Sequence, residues 1–155
     1  MTPRPLPWMK PGDLILFDLE SLPWPAYLRL VERFFEVRER RLVCLRQQEN
    51  RVEYQVFNPD GTLDAVLICR QSRRSIDESE LWRLNQLMQI HSVRRGLLFS
   101  PGAFDSGVYL RASDVNVELY SGNKLRVRVE SLRGDQRRQV MDAITAKPRP
   151  IQQSS

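Results

Sequence analysis

Apolar and polar positions alternate along this chain in two periods, and the changes between them mark the elements. From 25 to 37, Tyr27, Leu30, Val31, Phe34 and Phe35 recur at helical spacing, with Arg29, Arg33 and Glu36 pointing elsewhere. Pro25 stands where a first-turn proline is tolerated. Period-two segments follow at Arg41–Arg46 (RLVCLR) and Val52–Phe57 (VEYQVF), then a nearly continuous apolar run at Leu63–Arg70 (LDAVLICR). Alternation predicts half-buried strands, and the continuous run predicts a strand buried on both faces. Asn58-Pro59-Asp60-Gly61 between the last two is a turn phrase, so they form a hairpin.

Beyond the basic loop Ser72–Ser75, Ser75 and Glu78 have capping-box spacing. They open a predicted helix from Asp77 to His91 with a stripe of Leu81, Leu84, Leu87 and Met88. A fourth strand over Gly96–Ser100 stops at Pro101-Gly102. A short helix over Ala103–Ala112 and a fifth strand over Val115–Tyr120, closed by Ser121-Gly122, come next. Gly134-Asp135 opens a last helix with Val140, Met141 and Ile144 on its apolar side. This order predicts one α/β domain at 23–146, a mixed central sheet of about five strands flanked by helices. Residues 1–22 read as a proline-rich arm in which Asp13–Leu19 (DLILFDL) is apolar enough for a short strand, and 147–155 as a disordered polar tail.

Composition narrows the function classes. With 155 residues, 41% of them hydrophobic and 28% charged, the chain has material for one soluble core. No run is long and apolar enough for a membrane helix or a signal peptide, so the expected place is the cytoplasm. Cys44 and Cys69 are too few for a disulfide framework and read as small buried residues. The sole histidine, His91, reads as a helix-end residue, and Tyr27, Phe34, Phe35 and Trp82 as core. The net charge is +5, and nearly all the positive charge is arginine, since the lysines are Lys10, Lys124 and Lys147. A guanidinium fork suits phosphate, which makes nucleic acid a candidate partner, although a GC-rich genome also raises arginine content.

Three segments resemble the Mrr-type restriction endonucleases, members of the PD-(D/E)XK nuclease superfamily, over about 23–126. Trp24–Phe35 (WPAYLRLVERFF) looks like the opening helix of that family. Leu63–Ser72 (LDAVLICRQS) looks like the strand that ends Val-Gln-Cys-Lys in active members. Arg95–Phe104 (RGLLFSPGAF) with Val117–Leu125 (VELYSGNKL) looks like the scaffold segment Gly-Ile-Leu-Val-Thr-Thr-Gly-Phe and the strand closing it. The resemblance implies a restriction-endonuclease-like fold acting on DNA, with carboxylates holding Mg²⁺ to polarise the phosphate and activate water.

Carried over by position, the family's metal-binding Asp falls on Glu53, its Glu or Gln on Ile68, its Lys on Arg70 and its first-helix Glu on Leu28. Glu53 keeps a carboxylate and Arg70 a positive charge, whereas Ile68 and Leu28 replace polar groups by apolar ones. Cys69 matches a common but non-catalytic family residue. Asp60 and Asp64 offer other registers, but neither supplies an acid two residues before Arg70, and Asp60 belongs to the turn.

Two functions follow. One is a DNA-acting, Mrr-like protein with weak or lost metal-dependent phosphodiesterase activity. There Glu53 and Arg70 are the degenerate catalytic pair, Glu53 the metal ligand if magnesium is used, and Arg70, Arg73 and Arg74 the DNA contacts. The other is a catalytically dead pseudoenzyme serving as a protein-interaction module, built on the apolar Leu28 and Ile68. In either, a second copy or another protein can complete the assembly. Without a metal, Arg70 is expected to pair with Glu53 across the hairpin.

Overall fold

The computed structural model describes residues 19–71 and 76–145. The expectations for the arm before residue 19, for Arg73, Arg74 and Ser75, and for the tail after residue 146 lie outside the described residues. After a 3₁₀ turn at Leu19–Ser21 the elements run α1 (Trp24–Glu36), β1 (Arg41–Gln47), β2 (Arg51–Phe57), β3 (Leu63–Arg70), α2 (Ser79–Ile90), β4 (Gly96–Phe99), α3 (Ser106–Asp114), β5 (Val117–Tyr120), α4 (Gly122–Glu130) and α5 (Gly134–Thr145). The strands form one mixed sheet in the order β1-β2-β3-β4-β5. The β1-β2-β3 meander is antiparallel, and β3, β4 and β5 are parallel, linked by crossovers through α2 and α3.

Period-two alternation divides the side chains of the sheet between two cores. Val52, Tyr54, Ala65, Leu67 and Cys69 face the first, filled from α1 by Tyr27, Leu30, Val31 and Phe34, from α4 by Leu125 and Val129, and from α5 by Val140 and Ile144. Val66, Ile68, Leu98 and Leu119 face the second, under Leu81, Leu84, Leu87 and Met88 of α2 and Val108 of α3. Residues Ala65 to Cys69 of β3 are buried throughout, as a run without alternation predicts. The β2–β3 turn places Gly61 at φ +87°, where glycine carries no Cβ penalty. Asp60 Oδ1 accepts the Thr62 N–H at 2.9 Å, so Asp60 is a turn residue, and the Thr62 hydrogen bonds hold its carboxyl below the usual range.

Several local expectations are corrected. Helix α2 starts at Ser79, with the Asp77 carboxylate accepting the Ser79 N–H at 3.0 Å. Trp82 is 68% exposed and is not core. Cys44 is exposed on β1, while Cys69 is buried. Helix α4 stands where Ser121-Gly122 reads as a closing turn. The Ser121 hydroxyl caps the Lys124 N–H at 3.2 Å, and Leu125 and Val129, one helical turn apart, anchor α4 on the first core.

Candidate functional site

The registers place Glu53 opposite Ile68 and Arg51 opposite Arg70 on the second face of the sheet. The residues carried over from the family motif on β2 and β3 therefore share one face at the carboxyl end of β3. Leu28 does not join them. It packs against the first core, on the other side of the sheet.

Ile68 is fully buried in the second core. Beside it the Glu53 side chain keeps 3% exposure, a costly burial for a carboxylate without a partner. The partner comes from α2. Arg83 Nε donates to Glu53 Oε2 at 2.8 Å, and a terminal Arg83 nitrogen donates to Oε1 at 3.0 Å. This two-point geometry is the strongest form of the arginine–carboxylate pair. The Glu53 hydrogen bond, ahead of its charge, holds the Arg83 guanidinium even further above neutrality than usual. The expected Arg70–Glu53 pair is thus replaced. Arg70 stands two residues farther along β3, opposite Arg51, and Arg83 reaches Glu53 first.

Arg51 and Arg70 would repel each other as like charges placed directly across two strands. Glu80 of α2 resolves this. Its Oε1 binds Arg51 and lies 3.2 Å from Arg70 Nε. The Glu80 side chain is 5% exposed, and the guanidinium side chains of Arg51, Arg70 and Arg83 keep 26, 27 and 30% exposure. Among the described residues, Glu80 Oε2 and Arg51 Nε are buried without a hydrogen-bond partner. Arg70 also donates to the Asn50 carbonyl at 3.2 Å, tying the end of β3 to the β1–β2 turn.

Sequence reading did not single out Glu80, Arg83 or Arg51. Glu80 carried a signal, because it precedes Leu84 and Leu87 on the buried stripe of α2 and so places a charge where the helix predicts an apolar residue. Asp64, the other carboxylate weighed for the motif, is held by Arg40 at 3.1 Å and Arg95 at 2.9 Å, away from this network.

The donor set does not fit magnesium, which takes carboxylate and water oxygens in an octahedron. Both Glu53 oxygens are engaged by Arg83, Glu80 faces two arginines, and Ile68 offers no donor. Among the described residues no group of three or more His, Cys, Asp or Glu side chains is placed to hold a metal ion. Nor is any described helix long and apolar enough to cross a membrane.

No family model matches the chain, and no curated protein matches it. Among solved structures it is similar to the DNA modification-dependent restriction endonuclease AspBHI, with TM-score 0.52 and 16% identity over 88% of this chain and 40% of that one. A weaker likeness, TM-score 0.42 with 15% identity, links 87% of the chain to 33% of the MspJI restriction endonuclease solved in complex with a 27-mer oligonucleotide. The chain spans about 40% of the AspBHI chain. A five-stranded mixed sheet with an antiparallel meander at one side, parallel crossovers at the other and helices on both faces is, on that likeness, a restriction-endonuclease-like fold.

Proposed function

We propose that this chain is a nuclease-fold DNA-binding module that has lost metal-dependent cleavage. The observation that carries the reading is the two-point Glu53–Arg83 pair beside buried Ile68. The carboxylate carried over from the family's metal ligand is engaged by a fixed internal cation, and the next ligand position is apolar. In this reading no magnesium is held, and Arg70 contacts phosphate without stabilising a cleavage step. Support for DNA comes from the net charge of +5, from the partly exposed guanidinia of Arg51, Arg70 and Arg83, and from the likeness in fold to a DNA restriction endonuclease. Arg73 and Arg74, next in sequence after Arg70, extend the same phosphate-binding set.

The test is a gel-shift salt titration run beside a nicking assay on supercoiled DNA with Mg²⁺ or Mn²⁺. The expected result is binding that weakens steeply with salt, by a log–log slope of about −0.9 for each neutralised phosphate, without metal-dependent nicking. Metal-dependent nicking that disappears in Glu53→Ala would overturn the loss of catalysis. Absence of binding even at low salt would favour the second reading, a protein-interaction module. That reading has its own observation in Trp82 and Leu110, large apolar side chains 68% and 75% exposed on α2 and α3.

A further inference from the structure

We infer that the DNA-contacting surface is the β1 side of the β1–β2 hairpin floor, the part of the second sheet face beyond helix α2, and that its outer contacts are Arg41 and Arg46. The inference rests on the DNA-binding reading and names the surface that serves it.

The registers define this floor. Arg41 lies opposite Phe57, Val43 opposite Gln55, and Arg46 opposite Glu53, so all three β1 residues share the face of Glu53 and Ile68. Helix α2 covers Val66 and Ile68 of β3 and stops short of β1, where Arg41, Val43 and Arg46 are exposed. The Arg41 guanidinium is 5.0 Å from the centre of the Phe57 ring, which fixes it without neutralising it. Arg46 has no ion-pair partner among the described residues, although Glu53 is its cross-strand neighbour, because Arg83 engages both oxygens of that carboxylate. Arg51, Arg70 and Arg83 form the inner margin of the same surface. Each guanidinium has five donors, and giving one or two to Glu53 or Glu80 leaves others for phosphate oxygens.

Charge complementarity fixes the kind of occupant. The floor and margin bring together Arg41, Arg46, Arg51, Arg70 and Arg83; the carboxylates paired with them, Glu53 and Glu80, are both buried, and exposed Asp77 stands near Arg70 alone. A partner would meet guanidinium and little carboxylate. The arginines of α4 and of the turn into α5 are arranged differently, interleaved with acids in pairs such as Arg126–Glu130 and Arg133–Asp135. From Arg41 to Arg46 the strand runs about 16 Å at strand rise. That length spans about five base steps of a duplex at 3.4 Å each. A basic, strand-built floor of this length fits the backbone of double-stranded DNA.

The test is a salt titration of duplex DNA binding by the full chain, comparing Arg41→Ala, Arg46→Ala and the double variant with Arg128→Ala/Arg138→Ala on the C-terminal helices. Far-UV circular dichroism melts establish that each variant is folded. Arg46 is exposed and unpaired among the described residues, so its variant keeps the fold even if loss of the Arg41–Phe57 contact does not. The expected result is weaker binding and a slope shallower by about one for each hairpin arginine removed, with the C-terminal variant unchanged. Wild-type binding that is insensitive to Arg41 and Arg46, or that is lost with Arg128 and Arg138, overturns this surface and leaves DNA binding standing. Failure of the wild-type chain to bind DNA at all overturns both. Tighter binding to single-stranded RNA than to duplex DNA overturns the choice of partner.

Discussion

Arg83 crosses from α2 to the sheet and holds Glu53 by two hydrogen bonds, and the worth of that pair is measurable. Removing Arg83 alone leaves a carboxylate of 3% exposure without its counter-charge. Arg83→Met is expected to cost about 2–4 kcal/mol, slightly under the ~3–5 typical of a fully buried pair because water reaches part of the guanidinium. Glu53→Gln with Arg83→Met removes both charges and should restore much of that loss, a coupling that urea denaturation of the four-member cycle reads directly. On the other face, the half-buried Glu32 carboxylate accepts the Tyr54 hydroxyl at 2.9 Å. Burial raises its pKa from 4.5, opposed by the Tyr54 hydrogen bond. The folded chain therefore holds this proton at pH values where the unfolded chain has released it, and ionisation of Glu32 erodes stability as pH rises through that window. Glu32→Gln keeps the acceptor and lacks the charge. Its urea midpoint should gain on the wild type as pH rises from ~4 to ~7, and a pH-independent difference would contradict the assignment.

At the scale of elements, the junctions after β4 and β5 depend on close backbone approach. The Gly122 N–H donates to the Gly102 carbonyl at 3.2 Å, and a Cβ at residue 122 would stand 2.1 Å from the Pro101 carbonyl oxygen. Backbone cannot yield as a side-chain tip can, so Gly122→Ala should cost ~2 kcal/mol or more by displacing α4 from the turn after β4. Gly134 opens α5 with nothing within 4 Å of an added Cβ, and Gly134→Ala should stay within ~0.5 kcal/mol. Thermal melts of the two variants make the comparison. Strand β1 shows another constraint on elements. It is an edge strand with exposed Val43 and Leu45, and the register shift between Cys44 and Arg46, together with Arg41 and Arg46, keeps it from presenting a flat apolar edge to other chains.

Over the whole molecule, the two faces of the sheet do different work. The first is covered by α1, α4 and α5 and holds the larger core, with Phe99 and Tyr120 stacked at 4.4 Å between ring centres. The second is covered from β2 to β5, with Arg83 of α2 over Glu53, and its open β1 side carries Arg41 and Arg46. A metal site on this face would require free carboxylates, and the fold has instead used Glu53 and Glu80 to fasten α2 to β2 and β3. The charges that lock the helix also leave the surface net cationic, so the salt titration with DNA and the nicking assay test the same structural feature from two sides.

The sequence by itself determined the order of elements apart from α4, the hairpin turn at Asn58–Gly61 and the burial of β3, because these follow from periodicity and turn chemistry within a few residues. It also determined that Ile68 and Arg70 share a face, since a strand alternates with period two, whereas Glu53 joins them only through the register shift between Val56 and Phe57. Helix α4 escaped because its start coincides with a Ser-Gly pair that also makes turns, and only its docking on the first core distinguishes the two. Tertiary structure alone decided which charge meets Glu53. Arg83 lies 30 residues away in sequence, and its approach depends on where the β3–α2–β4 crossover lays α2 across the sheet. The same placement put Glu80 between Arg51 and Arg70 and left Trp82 in solvent, while the packing of α1 took Leu28 to the opposite face. Local patterns fix which way a side chain points from its own element, and only the packed sheet and helices fix what stands opposite it.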